Sequence, residues 1–367
     1  MELERSYENI LVFCLRKIGD VIISTSGVYL LKKAYPKAKI TMIVRPLTQE
    51  LVRNNPIVDE VLLYNYTHTS SFSEMREIAA EIKQKNFDLA IVLDNKPRSI
   101  ILAWMANIPQ RIGFEKIEFR NIYLKLFYTR IIKIEHDPQN TLQVKNHEIF
   151  INAFTNRQDT AKMVMASVTP EMKIKVDTLL QNVFMEQKRE SKNCLKIALC
   201  IRSGCLIKDW PLERFQAVIE SLAEEYNAVF YVIGSQADWT IVETFKKQCA
   251  VSVSNLCGQT SLGELSYLLG QSDFFLSVDT GSAHIAAATD VPMVVIFGGT
   301  SPNKWGPYTK NSITLAPFYP CHPCDGTKLK CVEPKCIFTI SAEVVTNACK
   351  KQLDHYKNLG IHETKEQ

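Results

Sequence analysis

The sequence predicts an α/β protein made of two consecutive domains with mostly parallel sheets. Short apolar runs alternate along the chain with segments of helical periodicity, which is typical of parallel strands covered by helices. The length of 367 residues also exceeds what a single hydrophobic core usually serves. A polar stretch over residues 155–167 interrupts the alternation. We therefore expect a first domain over residues 1–166, a second over 167–340 and a closing helical segment over 341–367.

The first domain opens with a βαβ unit. This unit consists of a strand over residues 10–15, a helix that ends near Tyr35-Pro36 and a strand over 40–44. Its crossover is expected to be right-handed, as between parallel strands generally. The same periodicities predict strands at 61–63 and 89–93 and helices at 72–85 and 100–106.

The second domain repeats the pattern. Its predicted strands are residues 195–201, 229–233, 274–278 and 293–297. Its predicted helices are residues 170–187, 211–226, 262–270, 282–289 and 341–356. Ser341 is a plausible N-cap for the last of them.

Composition and motifs argue against several classes of protein. The apolar share of 46% and charged share of 22% are ordinary for a globular protein, and no apolar run is long enough for a transmembrane helix. A net charge of +4 is too small to indicate a nucleic-acid partner. Eleven cysteines, with no secretory signal expected at residues 1–6, indicate a reducing compartment. Neither a GxxxxGK loop nor a GxGxxG turn follows a strand, which argues against P-loop enzymes, kinases and ordinary dehydrogenases.

The most informative segment follows the apolar run 274–278. An acid, a hydroxyl and a glycine (Asp279, Thr280, Gly281) open a small-residue helix with His284 in its first turn. Helix N-termini at the carboxyl ends of parallel strands attract anions, so these residues predict a site for a phosphate-bearing ligand. A helix cap with a core histidine is the alternative interpretation.

Other strand ends in the second domain also carry polar residues. Ser203, Gly204 and Lys208 precede a helix that starts near Pro211, and a lysine there is placed to neutralise a phosphate. Asp238 follows the next strand and is a candidate ribose or adenine contact, and Thr260 is a weaker one. A surface lysine beside a buried Trp210 is the alternative for Lys208.

In the first domain, Asp20 follows the first strand in the turn Arg16-Lys17-Ile18-Gly19-Asp20. A carboxylate there is a candidate general base for an attacking hydroxyl. A plain helix cap is equally consistent with the residue type.

Four cysteines lie within 16 residues, as Cys321-x2-Cys324-x6-Cys331-x4-Cys336. The first pair has the spacing that tetrahedral zinc or iron favours. We expect either a structural metal site or a set of reduced thiols, and a site filled by four thiolates has no open position for catalysis.

Residues 96–133 are rich in lysine and arginine with interleaved aromatic residues. Most of these charges fit a solvated surface. The functional alternative is an acceptor surface for a phosphorylated sugar-lipid.

Together these motifs resemble glycosyltransferase family 9, the heptosyltransferases of lipopolysaccharide core synthesis. The resemblance runs from Ile10 to about Val345. It rests on Gly19-Asp20-Val21, Lys208-x-Trp210-Pro211, Asp279-Thr280-Gly281-x-x-His284, Phe297-Gly298-Gly299-Thr300-Ser301-Pro302 and Trp305-Gly306-Pro307.

The resemblance implies the GT-B architecture, two Rossmann-like domains that face each other across a cleft, with a last helix that returns to the first domain. It implies inverting transfer of a heptose from ADP-L-glycero-β-D-manno-heptose to a sugar hydroxyl of the lipopolysaccharide or lipooligosaccharide inner core, without a catalytic metal. Asp20 matches the family's base, Lys208 its phosphate-binding lysine and Arg120 an acceptor-side arginine. The donor-binding residues would be Ser203, Gly204, Lys208, Asp238, Thr260, Asp279, Thr280, Gly281 and His284.

Three alternatives remain open: a protein acceptor of the autotransporter type, a GT-B-like nucleotide-sugar epimerase, and a non-catalytic nucleotide-sugar sensor. We expect a cytoplasmic protein, peripheral to the inner face of the inner membrane, with no nucleic-acid partner.

Overall fold

The computed structural model describes residues 6–66, 72–114, 119–134, 137, 140–324, 331 and 334–358, with only the backbone at 119–122 and 357–358. The chain divides into two compact units, residues 1–167 and 168–367. The division falls one residue after the boundary that the polar stretch predicted.

The first unit is built on a sheet of six parallel strands in the order β3-β2-β1-β4-β5-β6. The strands are β1 (Asn9–Phe13), β2 (Lys39–Val44), β3 (Glu60–Leu63), β4 (Leu89–Val92), β5 (Gln110–Phe114) and β6 (Arg130–Ile132). The central strands β1 and β4 are almost wholly buried and read as continuous apolar runs because helices cover both faces of a parallel sheet.

The described residues of this unit form the helices α1 (Ile18–Ala34), α2 (Phe72–Gln84), α3 (Pro97–Met105) and α4 (Gln143–Thr155). Short 3-10 segments span Pro46–Leu51 and Phe119–Phe127. The charges of α1 suit its dipole, with Asp20 in the first turn and Lys32 and Lys33 in the last. The first turn of α1 follows β1 after a short loop, which places Asp20 at the carboxyl edge of the sheet.

The second unit has the same topology. Its six parallel strands are ordered β12-β11-β10-β7-β8-β9, which corresponds to 3-2-1-4-5-6 when read from the other edge. The strands are β7 (Leu195–Cys200), β8 (Ala228–Val232), β9 (Val253–Asn255), β10 (Phe274–Val278), β11 (Met293–Ile296) and β12 (Ser312–Leu315). Both units therefore have the strand order of a dinucleotide-binding Rossmann fold, as predicted.

The helices of the second unit are α5 (Pro170–Glu186), α6 (Leu212–Glu225), α7 (Trp239–Gln248), α8 (Leu262–Gln271), α9 (Gly281–Ala288), α10 (Pro302–Trp305) and α11 (Ala342–Asn358). Local sequence sets several of their starts. Thr169 caps α5, whose first residue is Pro170, and Ser261 and Glu264 form a capping box on α8.

The last helix differs from expectation. We expected residues 341–367 to return to the first domain, but α11 contributes its buried face, Val345, Cys349 and Leu353, to the core of the second unit. Tyr226 also donates a hydrogen bond to Asp354 at 2.9 Å. The apolar face of α11 packs on α6, on β11 and on the edge strand β12, and residues 359–367 lie outside the described part.

Candidate functional site

The candidate residues gather where each sheet reverses its strand order. In the first unit the reversal lies between β1 and β4, and in the second between β7 and β10. Asp20 follows β1, the loop with Ser203 and Lys208 follows β7, and Asp279 follows β10. Ligands of open α/β sheets bind outside the carboxyl ends of the strands at such a reversal, so each unit presents a candidate site by topology alone.

Lys208 and Asp279 form the central contact of the second unit's site. The Lys208 ammonium donates to Asp279 Oδ2 at 2.6 Å, and the Thr300 hydroxyl donates to the same oxygen at 2.5 Å. The Asp279 side chain is 7% exposed and that of Lys208 is 26% exposed. The buried carboxylate thus holds the ammonium group, while about a quarter of the Lys208 side chain stays exposed. Thr300 was not among the predicted site residues, although it lies just after the predicted strand 293–297.

The N-terminus of α9 lies directly after this pair. Thr280 is its N-cap residue and makes no side-chain cap, since its hydroxyl instead lies 2.6 Å from the Ser282 hydroxyl. Gly281 opens the helix and His284 is buried one turn later. Amides at the start of a helix that no side chain caps are suited to an anion.

Two glycines lock the Lys208 loop to the end of β11. The Gly299 amide donates to the Ile207 carbonyl at 2.9 Å. A Cβ on Gly298 would lie 2.1 Å from that carbonyl oxygen and 2.8 Å from Lys208 Cα. Only glycine permits so close an approach of the two backbones, and that approach positions Lys208.

The four cysteines line a single cavity of about 80 Å³ beside this lock. Ile207 and Gly299 share its wall, and the Cys324 amide donates to the Gly299 carbonyl at 2.7 Å. Burial raises the pKa of the Cys336 thiol, and the neighbouring thiols of Cys321 and Cys331 raise it further. Over the described residues, no three ligand side chains are close enough to hold a metal as they stand.

Asp20 lies at the corresponding position of the first unit. Its carboxylate is 3.1 Å from the Arg16 guanidinium, and its side chain is 21% exposed. Arg16 also donates to the Asp94 carbonyl at 3.1 Å, and the buried Asp94 carboxylate accepts from the Leu15 amide at 2.8 Å. Burial raises the pKa of Asp94 despite these hydrogen bonds. Arg16 and Asp94 thus fix the turn that carries Asp20, a role that the sequence analysis missed.

Several residues that were predicted to bind the sugar nucleotide already make hydrogen bonds within the protein. Ser203 donates to Asp209 at 2.6 Å and accepts from the Cys205 amide at 3.0 Å, which holds the loop around Gly204 in a left-handed conformation with φ of 70°. Asp238 accepts from the Ser235 amide and hydroxyl in a capping box. These residues shape their loops through the contacts they already make.

Thr260 and Trp210 lie on different elements of this unit. Thr260 is half-buried just ahead of α8. Trp210 is a core residue, 2% exposed, that donates to the Ile340 carbonyl at 3.0 Å.

In the basic stretch over residues 96–133, some side chains hold the fold together and others are exposed on the surface. Arg111 donates to the carbonyls of Ile108 and Phe127 at 2.5 and 2.6 Å and so holds the end of the Phe119–Phe127 segment. Tyr123 is 77% and Leu126 is 81% exposed. The side chain of Arg120 lies outside the described part. Within the described ranges, no helix combines the length and apolar content needed to cross a bilayer.

Comparison with known proteins shows which family and relatives the chain resembles. The family model described as glycosyltransferase family 9 (heptosyltransferase) matches residues 75–335. "Lipopolysaccharide heptosyltransferase 3" of Escherichia coli (strain K12) is 24% identical over 314 residues, 82% of this chain and 85% of that protein.

Solved structures agree in fold. A glycosyltransferase family 9 protein from Veillonella parvula superposes with a TM-score of 0.80 at 23% identity, and the match covers 96% of this chain and 99% of that one. The E. coli heptosyltransferase WaaC with ADP superposes with a TM-score of 0.71 at 18% identity over 94% and 99% of the two chains. At these identities the likeness establishes a shared fold, the GT-B fold.

Proposed function

This chain belongs to glycosyltransferase family 9 and is a glycosyltransferase, and on that basis we propose that it transfers a heptose from ADP-L-glycero-β-D-manno-heptose to a sugar hydroxyl of the lipopolysaccharide or lipooligosaccharide inner core. The observation that carries the proposal is the Lys208–Asp279 pair at the foot of the α9 N-terminus, at the strand reversal of the second sheet. The diphosphate of a sugar nucleotide is bound by a cation together with uncapped amides at a helix N-terminus. The curated relatives' names supply the sugar and the acceptor class.

We propose that the second unit holds the donor's leaving group. As the bond from the anomeric carbon to the β-phosphate oxygen breaks, its electron pair passes to ADP. Lys208 and the amides after Thr280 would stabilise the charge that develops there, in the role that a bound metal plays in other transferases. Asp279 and Thr300 would orient Lys208, and His284 would donate to a phosphate oxygen. Ser203, Gly204, Asp238 and Thr260 would contribute by shaping the surrounding loops.

We propose Asp20 as the base. Its carboxylate would accept the proton of the acceptor hydroxyl while the hydroxyl oxygen attacks the anomeric carbon from the side opposite ADP, which inverts the configuration. Arg16 holds one carboxylate oxygen at 3.1 Å, which leaves the other for the acceptor. Proton transfer by a positioned carboxylate contributes about 10²–10⁴-fold to a rate.

For the four cysteines we propose a structural zinc or iron with Cys321, Cys324, Cys331 and Cys336 as ligands. The donor set suits a tetrahedral thiolate site, and all four line one cavity. Since no three of them converge in the described geometry, the metal would have to draw the thiols together. Elemental analysis of protein purified without added metal, combined with thiol titration before and after chelation, tests this. Less than stoichiometric metal would refute it.

On the acceptor side, we propose that Arg120 and the exposed Tyr123 and Leu126 face the glycolipid and place the enzyme peripherally at the inner face of the inner membrane, in the cytoplasm. Large apolar side chains 77% and 81% exposed beside Lys125 fit an anionic lipid surface.

A donor and acceptor screen tests the function. ADP-heptose, ADP-mannose and UDP-sugars would be offered with heptose-deficient lipooligosaccharide, with an autotransporter protein, and alone. ADP release that requires the lipooligosaccharide supports the proposal. Transfer only to the protein would redirect the acceptor assignment, and an epimerised sugar nucleotide formed without any acceptor would contradict transfer.

A further inference from the structure

The first unit carries a second polar cluster that the proposed chemistry does not use. Arg45 follows β2, Tyr64 and Tyr66 follow β3, and Arg98 is the second residue of α3. The guanidiniums of Arg45 and Arg98 lie over the Tyr66 ring, 5.3 and 4.9 Å from its centroid. Arg98 also donates to the Tyr64 hydroxyl at 2.8 Å. Two cations thus share one aromatic platform.

Two other arginines of the chain are paired with carboxylates. Arg16 and Arg202 each lie within 3.1 Å of a carboxylate. In the part of the chain that the structure describes, neither Arg45 nor Arg98 has an ion-pair partner, and Arg45 Nε is buried without a hydrogen-bond acceptor. A buried donor without an acceptor costs free energy unless a ligand satisfies it, and the two half-buried guanidiniums leave their charge available to an anion.

The cluster is tied to the strand end that leads to Asp20. The Tyr66 hydroxyl donates to the Leu15 carbonyl at 3.0 Å, one residue before Arg16. Arg98 lies in the first turn of α3, next to the buried Asp94 carboxylate, which accepts from the Lys96 amide at 3.0 Å and the Ser99 hydroxyl at 2.8 Å. The cluster therefore lies at the same sheet edge as the proposed base.

We propose that Arg45 and Arg98 bind a doubly charged phosphate group carried by the saccharide whose hydroxyl reacts, with the Tyr64 hydroxyl as a further contact. Two guanidinium forks match the several oxygens and two charges of a phosphate monoester, whereas a single carboxylate would satisfy one of them. This inference rests on the proposed function, because it places the phosphate on the acceptor.

Anion titration of the full chain tests the site directly. Inorganic phosphate, sulfate and acetate would be titrated calorimetrically with saturating ADP present, so that the second unit's anion site is filled. We expect the two dianions to bind and acetate to bind much more weakly. Arg45→Gln and Arg98→Gln should each weaken phosphate binding about tenfold to hundredfold, while Arg53→Gln, an exposed arginine bonded to Gln49, should not. Arg45→Lys and Arg98→Lys keep the charge and guard against misfolding, and we expect them to bind with intermediate affinity.

Kinetics separates this inference from the proposed function. With a phosphorylated acceptor, Arg98→Gln should raise the acceptor KM and leave the donor KM unchanged, and phosphatase treatment of the acceptor should remove the difference between variant and wild type. Phosphate binding that depends on Arg45 and Arg98 in a protein that transfers no sugar would leave the anion site standing and remove the transferase proposal. Transfer with phosphate binding indifferent to both substitutions would overturn the anion site alone.

Discussion

The Lys208 ammonium lies 2.6 Å from the Asp279 carboxylate, although 71 residues separate them in the sequence. Each residue follows a different strand of the second sheet, β7 or β10, and these strands are neighbours at the reversal of strand order. The pair joins the Lys208 loop to the residue that directly precedes the N-cap of α9.

Replacing Lys208 by methionine should lower kcat/KM by about 10²–10³, because a preorganised cation opposite the leaving diphosphate is lost. Steady-state ADP release gives kcat/KM for the variant and the wild type. Lys196→Met removes a comparable lysine, 3.5 Å from Asp273 at the start of β7, and should leave the rate nearly unchanged. Equal rates for wild type and Lys208→Met would exclude Lys208 from donor binding.

Asp20→Asn should reduce kcat about 10²–10⁴-fold while ADP affinity stays the same, because the amide cannot accept the acceptor's proton. Turnover assays and ADP titration measure the two effects separately. The exposed Glu77→Gln of the same unit is the control. A loss of ADP binding in Asp20→Asn would mean that the substitution acts on folding.

Gly298→Ala should destabilise the fold by about 1–3 kcal/mol and weaken ADP binding, because the new Cβ would overlap the Ile207 carbonyl and displace Lys208. Gly270→Ala is the matched control, since its Cβ would meet only Thr289 at 3.9 Å. Denaturant melts and ADP titration compare the two. A Gly298→Ala protein with wild-type ADP affinity would show that the backbone lock does not position Lys208.

Thiol reactivity should divide the cysteines by burial. Burial raises the pKa of the Cys14, Cys200 and Cys349 thiols, so they stay protonated at pH 8 and gain thiolate only at higher pH. After a chelator has removed any bound metal, the exposed Cys321 should react first with a thiol reagent. Mass spectrometry of the labelled sites measures this. Early labelling of Cys200 in the native protein would indicate that the β7 strand end opens.

The exposed apolar pair in the Phe119–Phe127 segment should contribute to lipid binding. Tyr123→Ser and Leu126→Ser should reduce co-sedimentation with vesicles that contain anionic lipid, since each removes an apolar contact beside Lys125. Ile174→Ser, 68% exposed on α5, is the control. Vesicle binding that is unchanged in the double variant would remove this segment from the acceptor surface.

Several features follow directly from local sequence. Alternating apolar runs and helical periodicity identified most strands and helices, because local pattern and tertiary burial agree in parallel sheets. The short strands β6 and β9, three residues each, and the helix α4 with its buried Asn146 and His147 were missed because their apolar signal is brief or interrupted.

Local sequence patterns were enough to predict the two α/β domains, the family and the strand-end loops that carry Asp20, Lys208 and Asp279. The contacts between distant residues, Thr300 with Asp279 and Arg98 with Tyr66, became visible only in the folded chain, as did the packing of α11 on the second unit. Strand order in a Rossmann sheet is not chain order, so loops far apart in sequence end at one edge. The hydrogen bonds and charge pairs between them exist only after the sheet has formed.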